Sequence, residues 1–311
     1  MTTAATTGHG AARTGAPGSG PLLAVAVTLV LWASAFVAIR HLGADFSPGA
    51  LSLGRLLIAS VVLGIAAYPR GLVRPTRGEW ARIVGIGVLW YAVYNIALNA
   101  GERLVDAGTA AMLIQVSPLL IALLAALFLG ERFTLPLGLG LALAFGGVAL
   151  ISVATSSGEP AATVGTGPAT SSVVGVLLCL VAAAAYSVSV ILQKPLMARL
   201  PSTQVTWLAC SVGALVSLPF LGTLLDEASQ APAASVWWVV YLGVFPTAIA
   251  FTTYGYALTH MSASSLGVTT YLVPPITIAM GWLLLGEVPP TMAYAGGALA
   301  LVGVAVARRA P

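Results

Sequence analysis

Residues 118–149 read PLLIALLAALFLGERFTLPLGLGLALAFGGVA and residues 274–305 read PPITIAMGWLLLGEVPPTMAYAGGALALVGVA. The two stretches align without a gap at an offset of 156, and 12 of the 32 positions are identical. The identities include Pro118/Pro274, Gly130/Gly286, Glu131/Glu287, Gly140/Gly296 and Gly147/Gly303. Apolar letters match easily in a chain this rich in Ala, Leu, Val and Gly; a shared glutamate, proline and set of glycines do not. If each half carries an odd number of membrane spans, the second copy enters the bilayer upside down. Inverted repeats of that kind enclose a solute site near the midplane.

Composition places the chain in lipid. It has 311 residues, 59% hydrophobic and only 7% charged, against about 25% charged in a water-soluble globule. The net charge of +4 does not point to nucleic acid, because the basic residues sit singly between apolar blocks and form no patch. Cys179 and Cys210 lie inside apolar segments without ligand spacing, so neither a disulfide nor a metal site is expected. No cofactor is expected either.

Apolar runs of about 20 residues, the length that crosses the hydrocarbon core, predict ten helices. They fall at 21–40, 50–68, 81–100, 107–129, 135–154, 172–193, 204–225, 235–257, 264–285 and 291–307. The expectation is an all-α membrane protein with a 5+5 inverted repeat, the halves being 21–154 and 172–307. Residues 155–171, rich in Ser, Thr, Gly and Pro, read as a flexible joint. Residues 1–20 read as a disordered tail and 308–311 as a short second one. Basic residues set the orientation. With the N-terminus inside, Arg13, Arg70, Arg74, Arg77, Arg82, Arg132, Lys194, Arg199, Arg308 and Arg309 are cytoplasmic, and only Arg40 and Arg103 are outside. Both termini are therefore expected in the cytoplasm, with Glu131 at an inner turn and Glu287 at an outer one. Arg13, the apolar run 21–31 and Ala33-Ser34-Ala35 also fit a cleaved signal peptide. Against that, the first helix has a counterpart in the second half, with Trp32 on Tyr186 and Arg40 on Lys194 at an offset of 154.

At this point the chain resembles the drug/metabolite transporter superfamily, specifically ten-helix exporters built from two EamA-type domains. The resemblance rests on Leu31-Trp32-Ala33-Ser34-Ala35-Phe36, Gly54-Arg55-Leu56-Leu57-Ile58-Ala59, Ala107-Gly108-Thr109-Ala110-Ala111, Pro118, Leu129-Gly130-Glu131-Arg132, Gly140 and Gly147. The second copy keeps Pro274, Leu285-Gly286-Glu287, Gly296 and Gly303. The resemblance implies a secondary transporter or exporter of small metabolites, with a central cavity lined largely by helices 1, 3, 4, 6, 8 and 9. It does not name the solute.

Several residues could carry that function. Tyr91, Asn95 and Asn99, spaced i, i+4 and i+8, predict a polar stripe on helix 3. Lipid does not solvate amides, so the stripe faces either a wet cavity or another helix. In the second case it only glues the bundle, at about 0.6 kcal/mol per hydrogen bond. Trp90 and Tyr94 flank it. Gln115 and its repeat mate Tyr271 each stand three residues before a matching proline, Pro118 or Pro274. Those prolines, with Pro275, predict kinks that free a carbonyl one turn back and could let helices 4 and 9 gate. Trp32, Ser34, Tyr186, Ser189, Tyr254 and Tyr256 add hydroxyls and aromatic faces suited to amphiphilic solutes. Arg55 is the charge well inside a span, where a guanidinium costs about 2.5–3.5 kcal/mol on insertion scales. It reads either as an outer-face partner of Asp45 or Asp106 or as a carboxylate contact in the pathway.

Small multidrug-resistance proteins, relatives in the same superfamily, use a glutamate in their first helix to exchange protons for cationic drugs. Residues 22–39 contain no acid. Amino acids or similar metabolites are therefore the expected cargo, with multidrug efflux as the alternative. A channel or non-transporting scaffold is the reading from another class. Catalysis is not expected, since His9, His41 and His260 lie in the tail or at helix ends and no embedded base or acid cluster is present. The expected partners are a small-molecule substrate and the bilayer, with no nucleic acid and with a homodimer left open.

Overall fold

The computed structural model describes residues 19–43, 45–101, 103–104, 113–158, 169–285 and 291–307. The described residues are helical, without a strand. Grouped by apolar stretch, the helices are α1 (Ser19–Leu42), α2 (Pro48–Ala67), α3 (Arg77–Gly101), α4 (Ser117–Phe128) and α5 (Leu135–Gly158) in the first half. The second half has α6 (Ala169–Leu196), α7 (Ser202–Val216), α8 (Ala233–His260), α9 (263–285) and α10 (Thr291–Ala307). A bend of 55° separates α7 from its continuation Leu218–Gln230.

Among the described residues, four continuous helices are long and apolar enough to cross a bilayer, namely α2, α3, the 173–196 part of α6, and α8; the bent α7 adds a fifth if it is one span. The apolar parts of α1, α4, α5 and α10 are shorter. Large apolar side chains such as Ile65, Phe128, Leu135 and Trp237 are exposed on the helix bundle, which suits lipid as the surrounding solvent and would be a liability in water. The joint expected at 155–171 is helical as far as Gly158 and again from Ala169; residues 159–168, the tails 1–18 and 308–311, and Glu287 lie outside the described residues.

Local chemistry explains where helices begin and end. Thr76 and Glu79 form a reciprocal capping box at the start of α3, and Pro48 stands in the first turn of α2, where its missing N–H costs nothing. Gly130 has φ +67° just past α4, the left-handed position that lets Glu131 N donate back to Ala125 O.

The packing is symmetric under exchange of the two halves. α3 packs on α7 as α8 packs on α2, α6 on α3 as α1 on α8, and α4 on α6 as α9 on α1. Three helices pack on their own repeat mates: α2 on α7, α4 on α9 and α5 on α10. These mates run antiparallel. Along α2, Gly49 meets Phe220, Leu56 O accepts from Cys210 Sγ and Gly64 meets Trp207. Along α5, Gly140 meets Ala307 and Gly147 meets Ala300. The order is reversed in each pair, as an inverted repeat requires. The α5/α10 seam depends on its glycines: a Cβ at Gly147 would lie 2.5 Å from Ala300 N and from Gly296 O. In lipid, where apolar burial gives no preference for a protein neighbour, such close backbone approach is what holds helices together.

The repeat extends to irregular backbone. A π-helical stretch interrupts α3 at Gly87–Tyr94 and α8 at Gly243–Ile249, starting at positions that differ by 156. Gly87 lies against Ala209 O and Gly243 against Arg55 O, so each π stretch leans on the other half's equivalent helix.

Candidate functional site

A cavity of about 90 Å³ lies between α1, α2, α3, α4, α6, α8 and α9. That is room for several water molecules. Its walls include four pairs of repeat mates: Trp32/Tyr186, Asn95/Phe251, Ile114/Thr270 and Ser117/Val273. The cavity therefore straddles the axis that relates the halves. It extends toward the end where α1 and α3 finish, through Ile39, Leu98 and Asn99. At its other end it meets an aromatic cluster. Trp32 stacks on Tyr254 at 5.2 Å, Tyr186 lies 5.0 Å from Trp90, and Phe251 lies 5.1 Å from both Trp90 and Tyr91.

Beyond this cluster, the basic end of the bundle is tied together. Glu131 accepts from Ala263 N at 2.7 Å, Ser264 N at 3.0 Å and Ser264 Oγ at 2.6 Å, which caps the start of α9. Lys194 Nζ donates to Leu258 O and Met261 O at the end of α8. Arg199 pairs with Glu79, the ion pair among the described residues.

The π stretch in α3 aims the polar side chains. A π turn closes each hydrogen-bonded ring over five residues instead of four, so a 3.6-residue periodicity does not carry across it. Trp90, Tyr94, Asn95, Leu98 and Asn99 line the cavity, while Tyr91 is buried against Gly213 of α7 and Phe251. Asn95 Nδ2 donates to Trp90 O at 3.1 Å and Tyr91 O at 2.9 Å, satisfying carbonyls at the widened turn. Asn99 Nδ2 donates to Ser52 Oγ at 3.2 Å.

The prolines act on the lining as well. Pro118 stands at the start of α4, and Pro274 and Pro275 follow a 3-10 turn at Thr270–Leu272 in α9. Each proline lacks the N–H that would bond four residues back. The carbonyl freed by Pro118, Ile114 O, accepts from Ser117 Oγ at 2.7 Å. The one freed by Pro274, Thr270 O, accepts from Gln115 Nε2 at 3.4 Å. Gln115 thus lines the cavity while spanning the two interrupted helices. Its repeat mate Tyr271 turns away into a cluster with Ala122, Leu137 and Leu141, and its hydroxyl has no hydrogen-bond partner among the described residues.

Arg55 is 5% exposed and lines the cavity; its Nε donates to Thr247 Oγ1 at 3.0 Å, and Thr247 Oγ1 donates to Leu242 O at 2.7 Å. Of the two acids considered as its partners, Asp45 accepts from Ser235 Oγ and Asp106 lies outside the described residues.

Four other expected residues stand apart from the cavity. Ser34 Oγ bonds Leu31 O and the Tyr241 hydroxyl, Ser189 Oγ donates to Ala185 O at 2.7 Å, Tyr254 accepts from the Tyr186 hydroxyl at 3.0 Å, and Tyr256 is exposed beside His260. Ser117 and Thr270 were not singled out by the sequence. Their signal was position relative to the paired prolines: Ser117 directly precedes Pro118, and Thr270 stands four residues before Pro274.

The profile of the EamA-like transporter family matches residues 19–153 and again residues 173–309. The chain belongs to the EamA-like transporter family. A relative from Streptantibioticus cattleyicolor, named "Probable terminal-alkyne amino-acid exporter", is 40% identical over 92% of this chain and 92% of its own. The Bacillus subtilis transporter YdfC is 32% identical over 88% and 86%, and the Pseudomonas aeruginosa pseudopaline exporter CntI is 29% identical over 81% of each chain. A solved crystal structure superposes with a TM-score of 0.75 at 27% identity, covering 93% of this chain and 96% of that one. This EamA-like chain is a multi-pass membrane transporter of two EamA repeats, and the axial cavity lies at the junction of those repeats.

Proposed function

We propose that this EamA-like transporter exports amino acids or similar small metabolites across the cell membrane by alternating access. It does so as ten spans arranged 5+5, with both termini in the cytoplasm. The observation that carries this reading is the cavity on the inverted-repeat axis. It is lined by amides, hydroxyls and aromatic faces, and it is blocked on one side by the aromatic cluster and the ties at Glu131, Lys194 and Arg199. In an inverted repeat equivalent helices stand at the opposite end, and closure there with release here would move the opening across the membrane. Relatives named as a probable terminal-alkyne amino-acid exporter and a pseudopaline exporter support the direction of transport and an amino-acid-like cargo.

Counterflow into proteoliposomes tests the proposal. Vesicles loaded with unlabelled amino acids in turn should accumulate labelled solute with saturable kinetics for at least one of them. Flux that rises linearly with concentration for every solute would mark a channel, and absence of flux across the panel would mark a scaffold.

A further inference from the structure

Among the described residues that line the cavity, Arg55 is the charged side chain and none is Asp or Glu. Its Nε is committed to Thr247, which fixes the plane of the guanidinium and leaves its terminal nitrogens as the remaining donors. The repeat does not duplicate this group. The position equivalent to Arg55 is Ala209, and the position equivalent to Thr247 is Tyr91, which is buried away from the cavity. Sequence and packing have thus kept the same backbone contact twice, Gly243 on Arg55 O and Gly87 on Ala209 O, but placed a cation at one of the two. A purely structural demand on that contact would be met by alanine in both copies.

Resting on the transport reading, we propose that Arg55 is the carboxylate-binding residue of the cavity, so the cargo is a carboxylate-bearing solute, neutral or zwitterionic amines being excluded unless they carry that group. The terminal nitrogens of Arg55 present a planar fork that matches a carboxylate in two parallel hydrogen bonds. In a cavity with few waters, an amide or ester of the same shape leaves the cation without a counter-charge. The amides of Asn95 and Gln115 lie in the same lining but are held by backbone carbonyls, so they serve the carboxylate less directly. The aromatic faces of Trp32, Trp90 and Tyr186 offer the apolar and cationic parts of an amino acid a surface.

The test compares L-phenylalanine with L-phenylalaninamide, isosteres that differ in the carboxylate, as competitors of labelled flux and as protectors of Arg55 against phenylglyoxal read by mass spectrometry. Wild-type protein should favour the acid by about ten- to a hundredfold, the range expected of a hydrogen-bonded charge. Arg55→Gln should lose that preference, and Arg55→Lys should recover part of it, whereas a purely structural arginine would leave the preference of any folded variant unchanged. Equal competition by acid and amide in wild type, or an Arg55→Gln protein that keeps the preference, overturns the proposal. The protection arm needs no flux: if no solute moves, the transport reading fails, yet protection of Arg55 by the acid and not by the amide still supports the site. Equal protection by both, or by neither, overturns it.

Discussion

Glu131 offers the sharpest perturbation. It follows α4 and caps α9 with three hydrogen bonds, two from backbone N–H groups and one from Ser264 Oγ. Loss of an N-cap costs about 0.5–2 kcal/mol, and hydrogen bonds to a charged group contribute about 1.5–3 kcal/mol when both partners are buried. The three bonds share one carboxylate and do not add, so Glu131→Ala should destabilise by about 2–3 kcal/mol. Glu131→Gln keeps an acceptor oxygen but loses the charge, and should cost about 1 kcal/mol by the same ranges. Thermal unfolding of purified protein in one detergent gives the ranking, and counterflow per folded molecule gives the transport. The order wild type, Glu131→Gln, Glu131→Ala in stability is expected, with the response of transport to pH in the surviving molecules the same as in wild type. A Glu131→Ala protein as stable as wild type that has lost its pH dependence would refute the capping role and point to proton coupling.

Gly147→Leu should separate α5 from α10 and destabilise the protein by about 1–3 kcal/mol, the usual cost of overpacking, seen as a lower unfolding temperature; an unchanged value would contradict the close seam. Tyr271→Phe removes a buried hydroxyl without a partner, so stability should hold or rise in the same melt, with counterflow unchanged. Single cysteines at Gly165 and at Arg74 in a cysteine-free background should react from outside and inside respectively; reaction of both from one side would contradict the ten-span arrangement.

Much of this molecule is legible in the letters because lipid imposes few solutions. Apolar runs correspond to helices of the bundle, the paired prolines to interruptions with a freed carbonyl, and the glycine pairs Gly140/Gly296 and Gly147/Gly303 to a seam of close backbone contact. Two things were not legible. The π stretches at Gly87–Tyr94 and Gly243–Ile249 carry no local signature, and they break the periodicity on which the Tyr91/Asn95/Asn99 stripe was drawn, which is why Tyr91 turns toward α7 while the two asparagines line the cavity. The second concerns repeat mates. The equivalence of Gln115 and Tyr271 suggests a shared surface, yet the cavity leans toward one end of the axis, so one mate faces it and the other packs against α5 and α10. Arg55 shows the same limit: its span was evident, but its neighbour Thr247, 192 residues away, depends on how α2 meets α8.

The central claim is that solute passes through the axial cavity, and expression-corrected counterflow of Asn95→Ala and Gln115→Ala tests it most directly. Flux per folded molecule should fall about tenfold in each, the scale of one lost hydrogen bond to a solute, while both variants remain folded in the membrane. Unstable variants whose surviving molecules transport at the wild-type rate would show that these amides only hold the helices together, and that the solute takes another path.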